Sequence, residues 1–308
     1  MSIVVVGSIA FDSVKTPFGI CEHVLGGAAN YFSLAASFFT DVQLVGVVGD
    51  DFPETHLTYL KTRGVDTAGV KRQYGKTFHW QGSYSFDLNE AQTLKTELNV
   101  FNDFSPELPE HYRQAQTVFL ANIDPVLQLR VLDQVQNPRL VALDTMNFWI
   151  EGKNLELKKA ISQVDILFIN ESEIRQLAKE HNIVKAAKAM QAIGPKTIVI
   201  KRGEYGALLF HKEAMFLMPA YPLEDLFDPT GAGDTFAGGF LGWLDKRGEI
   251  TFDSLKEAMT LGTVMASFVI EKFSFDRMRT LEPAEIKKRY EQLQNLSIGP
   301  KQALEFAL

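Results

Sequence analysis

Apolar residues fall along this chain in two alternating patterns. Short β-branched runs occur at 3–7 (IVVVG), 42–49 (VQLVGVVG), 117–122 (TVFLAN), 140–144 (LVALD), 165–170 (DILFIN) and 197–203 (TIVIKRG). Continuous apolar runs of this length suit strands covered on both faces. Helical spacing of apolar residues is seen over 28–39, 126–135, 171–180 and 183–192, and the last third reads as helix at 231–246, 252–271 and 283–294. Strands alternating with helices predict an α/β fold, a three-layer sandwich whose mostly parallel central sheet is flanked by helices. Residues 206–218 are expected to form a hairpin. Several strands end on a polar residue, Asn122, Asp144, Asn170 and Lys201. Ligands of open parallel sheets bind outside such carboxyl ends, so these residues are candidates together.

One region departs from the pattern. Residues 72–101 alternate aromatic and polar positions, and with 9–25 they predict solvent-facing strands outside the central sheet. A small β lid over the ligand end is the economical reading, and an edge hairpin that shields the sheet is the alternative. Without repeats, low-complexity stretches or a Pro/Gly-rich linker, residues 1–308 are expected to form a single domain with this lid.

Composition narrows the partners. The chain is 46% hydrophobic with a net charge of −7, and its basic residues are scattered, so no nucleic-acid footprint is present. No apolar run reaches the length of a membrane span. The N-terminus enters a strand directly, without the features of a signal peptide, which leads us to expect a cytoplasmic protein. A single cysteine, Cys21, excludes an intrachain disulfide and a multi-cysteine metal site.

The stretch DPTGAGDTFAGGF (228–240) concentrates small residues around Asp234. Gly231 and Gly233 permit a tight turn, and the residues after Asp234 are apolar at helical spacing. A helix N-terminus presents unpaired N–H groups and a positive dipole, so Gly231, Ala232 and Gly233 form a candidate anion hole. Asp234 then suits a general base facing an alcohol, and an aspartate at a helix N-terminus is expected to ionise easily. The same residues also fit a glycine-rich turn in which Asp234 caps its own helix. The dinucleotide fingerprint lacks its third glycine, and GVKRQYGKT (69–77) has the wrong spacing for a P-loop.

Three further pieces fit phosphoryl transfer. In NESE, Asn170 and Glu173 share a helix face and offer oxygen ligands suited to Mg²⁺ through waters. The spacing suits an Asn cap with its glutamate partner equally well. In KRGEYG, Lys201 ends a strand and Gly203 and Gly206 form a turn along which nucleotide phosphate could lie, or a plain hairpin loop. Asp12 follows the first strand and can accept hydrogen bonds from vicinal hydroxyls, while Gly26 and Gly27 let a polyol approach backbone. Alone, Asp12 also reads as a turn residue.

Together these pieces resemble the ribokinase-like carbohydrate kinases, the pfkB group, which includes nucleoside kinases. DPTGAGDTFAGGF is similar to that family's C-terminal signature and LGGAANYFSLAASFF (25–39) to its N-terminal one, with NESE and KRGEYGALLF in family order between them. The resemblance implies a central sheet with a small β lid, ATP as phosphoryl donor and Mg²⁺ as cofactor. It implies Asp234 as base, Gly231, Ala232 and Gly233 as anion hole, and Asn170 and Glu173 serving Mg²⁺ and phosphate. Lys201, Gly203 and Gly206 would border ATP, and Asp12, Gly26 and Gly27 would hold the acceptor. A monovalent cation, K⁺ among the candidates, would implicate Asp228 and Thr230, and 262–274 falls where the family lines its adenine pocket. The lid serves family members either as a dimer interface or as a monomeric flap, so a monomer or a homodimer is expected.

One position departs from the family. Where a substrate-binding asparagine is usual after the paired glycines, this chain has Tyr31, and Asn30 comes one residue early. A residue is about 100° of helical rotation, so the hydroxyl pattern that Asn30 and Tyr31 would read differs from that of ribose. Phe78, Trp80, Tyr84 and Phe86 offer aromatic faces to a nucleobase, whereas Lys15, His23, Lys76 and His79 are isolated and make no sugar-phosphate site. The expected activity is transfer of the ATP γ-phosphoryl group to a hydroxymethyl group of a nucleoside or sugar. The alternatives are a non-catalytic sensor on the same fold and a sugar-phosphate kinase.

Overall fold

A computed structural model describes residues 2–89 and 91–297. Its strands are β1 (Ser2–Val6), β2 (Ala10–Thr16), β3 (Gly19–Gly26), β4 (Asp41–Val48), β5 (Val65–Arg72), β6 (Phe78–Tyr84) and β7 (Ala91–Glu97). They continue as β8 (Thr117–Leu120), β9 (Leu140–Asp144), β10 (Ile166–Asn170), β11 (Thr197–Lys201), β12 (Ala207–His211) and β13 (Ala214–Met218). The helices are α1 (Ala28–Ala36), α2 (Glu54–Thr62), α3 (Pro125–Leu132), α4 (Asn147–Gly152), α5 (Asn154–Ile161) and α6 (Glu171–Ala178). After them come α7 (Ile183–Gln191), α8 (Ala232–Arg247), α9 (Phe252–Val269), α10 (Asp276–Arg279) and α11 (Pro283–Ser297).

Nine strands form the central sheet in the order β13-β12-β11-β10-β9-β8-β1-β4-β5. All neighbours from β5 to β11 are parallel, and the β12–β13 hairpin extends the sheet antiparallel. Period-two alternation makes the three layers. Ile3 and Val5 of β1 pack on one face with α1, α8 and α9, while Val4 and Val6 pack on the other with α3, α5, α6 and α7. The fold is the expected α/β sandwich.

The smaller sheet runs β3-β2-β6-β7, with β2 parallel to β6 and the outer pairs antiparallel. It stands over the carboxyl ends of the main strands as the β lid. Chain direction explains why a site forms there: from β1 the chain builds β4 and β5 on one side, then returns to build β8 to β11 on the other. That reversal opens a crevice at the carboxyl ends.

Local signals set the helix starts. Asn170 and Glu173 form a reciprocal capping box on α6, Asp124 caps α3 ahead of Pro125, and Asn182 caps α7. Small residues let α8 sit deep: a Cβ at Gly238 would stand 2.5 Å from the Phe32 carbonyl oxygen of α1, and one at Gly239 would stand 2.7 Å from Met265 of α9. Among the described residues no helix is long and apolar enough to cross a membrane.

Candidate active site

Gly231 is the N-cap of α8 with φ 75°. A Cβ there would lie 2.4 Å from the Tyr31 ring, so glycine is required by conformation and by contact. The Ala232 N–H turns back to the Pro229 carbonyl at 3.1 Å, which leaves Gly233 and the first turn behind it as the open part of the helix end. Asp234 lies in this turn. Burial and the nearby Asp144 raise its pKa to about 7, against the lowering effect of Lys201 and of its own N–H. Easy ionisation, expected from the helix dipole alone, is therefore outweighed by desolvation.

Asp12 enters from the lid strand β2. It is 4% exposed, and its carboxyl is pushed up to about 8, first by burial, then by repulsion from Asp228, with the Gly27 N–H opposing and Asp234 adding. A Cβ at Gly26 would fall 1.9 Å from Asp12 Oδ2, so the space that Gly26 leaves is filled by Asp12. Gly27 has φ 95°, and a Cβ there would strike the Ser8 carbonyl oxygen at 2.5 Å. Ser8 completes this turn by accepting the Ala28 N–H on its hydroxyl at 3.0 Å.

Asn30 and Tyr31 lie behind the site. Asn30 is fully buried and its Nδ2 donates to the Gly26 carbonyl at 2.8 Å, which secures the turn carrying Asp12's neighbour. Tyr31 is 2% exposed, its ring lies between Gly231 and Phe275 (centroids 4.4 Å apart), and its hydroxyl has no hydrogen-bond partner. Asn30 Oδ1, like the Tyr31 hydroxyl, is buried without a hydrogen-bond partner.

Asp228 is buried, and desolvation raises its pKa against two hydrogen bonds from Thr230 and one from the Ser274 backbone. The hydroxyls of Thr230 and Tyr84 lie 3.3 Å apart, within hydrogen-bond reach, tying lid strand β6 to the α8 turn. On the same β6 face, Trp80 lies in register with Asp12. Its ring lies over Gly82, where a Cβ would be 2.1 Å from it, and its Nε1 donates to Thr93 at 3.2 Å.

At the other side of the crevice, Glu173 is buried and its Oε2 accepts the Asn170 N–H at 2.9 Å, while Asn170 Oδ1 accepts the Glu173 N–H at 2.7 Å. Lys201 donates to Asp144 at 2.6 Å, and its Nζ would be 3.0 Å from a Cβ on Gly233. Gly203 and Gly206 take φ 55° and 84° in the loop between β11 and β12. The lid tip reaches that loop, since a Cβ at Gly203 would be 2.3 Å from Asn89 Oδ1. The crevice is thus flanked by Asp12 and Asp234 at one end and by Lys201, Glu173 and the Gly203 loop at the other.

The pairing of Asp144 with Lys201, the bond between Tyr84 and Thr230 and the part of Ser8 in the Gly27 turn were not read from the sequence. Asp144 carried a signal as a polar strand end and Tyr84 as an aromatic position of the lid, whereas nothing local marks Ser8. His23 and His79, which the sequence left isolated, meet edge to face in the lid with ring centroids 5.3 Å apart, and His79 is engaged by Ser13 at 2.9 Å and Glu97 at 3.1 Å. Burial pushes the Cys21 thiol up to about 11, which removes it as a nucleophile.

A three-layer α/β fold with a carboxylate at a glycine-opened helix end and a lid above it defines a class of small-molecule phosphotransferases. The pfkB family carbohydrate kinase profile matches residues 2–279, and the chain belongs to that family, whose members transfer phosphoryl groups to alcohols. The chain is 32% identical over 281 residues to the cytidine kinase of Thermococcus kodakarensis, covering 89% of this chain and 97% of that one. The fold is also that of the Methanocaldococcus jannaschii nucleoside kinase, with TM-score 0.74, 20% identity and coverage of 94% of this chain and 98% of that one. Aminoimidazole riboside kinase from Salmonella enterica, solved with aminoimidazole riboside and an ATP analogue, matches with TM-score 0.73 and 20% identity over 94% of this chain and all of that one (100%).

Proposed function

We propose that this protein is an ATP-dependent nucleoside kinase that phosphorylates the hydroxymethyl group of its acceptor, with Asp234 as general base. The observation that carries the reading is Asp234 itself, a carboxyl with pKa near 7 in the first turn of α8, beside the glycine turn and close enough to Asp12 to repel it. A base poised near working pH is the efficient choice for taking a proton from an alcohol. The acceptor oxygen bonds to the γ-phosphorus as the bond to the departing ADP breaks, ADP keeps that electron pair, and the hydroxyl proton passes to Asp234. Backbone N–H groups from Gly231 to Gly233 stabilise the phosphoryl oxygens, with Gly233 best placed because the Ala232 N–H is engaged. Asp12 accepts hydrogen bonds from acceptor hydroxyls.

Among the described residues no group of three or more metal-ligating side chains of His, Cys, Asp or Glu is assembled. This donor set fits Mg²⁺, which is commonly held by one or two carboxylates, waters and substrate phosphates. Glu173, oriented by Asn170, is the carboxylate on offer, and Mg²⁺ when bound neutralises phosphate charge. Lys201, Gly203 and Gly206 border the nucleotide. Asp228 and Thr230 suit a monovalent cation such as K⁺, which would offset a buried carboxylate.

The nucleoside is favoured over a free sugar by Trp80, whose half-buried ring is fixed by Thr93 on the Asp12 face of the lid. Among the described lid residues His23 and His79 pack together, but His79 is already bonded to Ser13 and to the carboxylate of Glu97, which disfavours a sugar phosphate there. The test is ADP formation from ATP across nucleosides, free sugars and sugar phosphates, with Asp234→Asn alongside. Nucleosides are expected to turn over fastest, and the variant to lose about 10²–10⁴-fold. Activity within a few-fold in the variant would remove the base assignment. Preference for sugars or sugar phosphates would overturn the acceptor class, and ligand binding without ADP formation would indicate a sensor.

A further inference from the structure

Asp144 and Lys201 connect two strands that are not neighbours. β9 and β11 flank β10, so with strands about 4.8 Å apart their ends are separated by roughly 10 Å. The Lys201 stem crosses the end of β10, and its Nζ reaches Asp144 Oδ2 at 2.6 Å. Asp144 is 3% exposed, and its Oδ1 accepts the Thr145 N–H at 2.9 Å, so both of its oxygens are held. The carboxylate is a fixed post for the ammonium.

The ammonium does more than join strands. Its Nζ lies 3.0 Å from the point where a Gly233 Cβ would stand, so it is seated against the first turn of α8. Burial opposes its charge, but Asp144, Glu173 and Asp234 together hold Lys201 protonated. A buried ion pair that served packing alone would gain nothing from that location, since an apolar pair of similar volume serves packing as well. An ammonium carries three donors. The bond to Asp144 uses one.

We propose that Asp144 is a positioning residue that parks the Lys201 ammonium beside the anion-hole turn, where Lys201 binds an oxygen of the ATP γ-phosphate and stabilises the transferring phosphoryl group. The inference rests on the kinase reading above and adds to it a side-chain cation and the residue that sets it. Lys201 keeps its proton throughout, and the bonds made and broken are those already described.

The test separates binding from turnover. ATP and ADP are titrated calorimetrically in EDTA without acceptor, using the wild type, Lys201→Met and Asp144→Asn. The wild-type preference for ATP over ADP should fall about tenfold in Lys201→Met and about threefold in Asp144→Asn, with ADP affinity little changed. With Mg²⁺ and acceptor, Lys201→Met should lose about 10²–10³-fold in kcat while acceptor KM stays within about threefold. If the ATP preference is unchanged in both variants and only melting temperature falls, the pair is structural and the proposal is overturned. Should Lys201→Met fail to fold, Asp144→Asn keeps the side-chain shape and the Thr145 contact and carries the same test. Failure of the general-base reading is distinguishable: Asp234→Asn would then retain turnover while Lys201→Met still lost its recognition of the γ-phosphate.

Discussion

Asp234 stands between a charge that hinders its ionisation and one that helps it. Burial is the largest influence on its pKa, Asp144 raises it further, and Lys201 and its own N–H pull it down. A base works deprotonated, so kcat/KM should fall as pH drops through about 7. Asp144→Asn removes a raising charge and should move that acid limb to lower pH, whereas Lys201→Met removes a lowering charge and should move it to higher pH. Initial rates across neutral pH with subsaturating acceptor check both signs, and a common direction would contradict the electrostatic account. Asp234 was legible as a candidate because its neighbours are small and its helix follows immediately. Its environment was not, since Asp144 and Lys201, whose charges act on it, lie 90 and 33 residues away in the chain.

Elements placed these residues where their neighbours matter. The glycines at 26, 231 and 233 each make room for a named partner, Asp12, Tyr31 and Lys201, drawn from another element. The sequence showed that backbone must approach something at these turns, and the structure supplies side chains of the protein itself as the first occupants. The capping box of α6 was readable from NESE, and α8 from its apolar spacing. By contrast, β5, α2, α4 and α5 escaped the pattern reading. β5 (VDTAGVKR) is interrupted by Gly69 and three charges, and α2 buries only His56, Leu57 and Leu60. Weak periodicity in short amphipathic segments gives tertiary packing the deciding voice. In the lid, alternation along β6 puts Trp80 on the Asp12 face. Trp80→Ala should raise nucleoside KM about tenfold through lost base stacking and leave KM for a free sugar within about twofold. Parallel kinetics with both acceptor types check this, and equal losses for both would place the ring away from the base.

For the whole molecule, the crevice gathers Asp12, Asp228 and Asp234 on one side and Asp144 and Glu173 on the other around one lysine. This crowding has a cost. The Asp12 carboxyl is raised from 3.8 to about 8 in the folded protein, so the unfolded chain ionises first and the ligand-free protein loses stability as pH rises through that interval. Asp12→Asn removes the effect. Its melting temperature should match the wild type near the lower end of the interval and exceed it increasingly toward the upper end, by roughly 2 °C for each kcal/mol relieved. Thermal melts of both ligand-free proteins over the interval decide it, and a constant difference would assign the change to packing.

The sequence by itself determined the layered α/β fold, the separate lid and the reaction class, because each is written in contiguous patterns: apolar runs, helical spacing and a glycine-rich turn before an aspartate. Only the tertiary structure decided which charges face one another. Asp12, Asp144, Lys201 and Asp234 lie on four different elements, and their pKa values and pairing follow from burial and distances that no local pattern encodes. Parallel strands deliver their ends to one edge of the sheet, and the lid covers that edge, so chemistry dispersed over 223 positions from Asp12 to Asp234 becomes a single site.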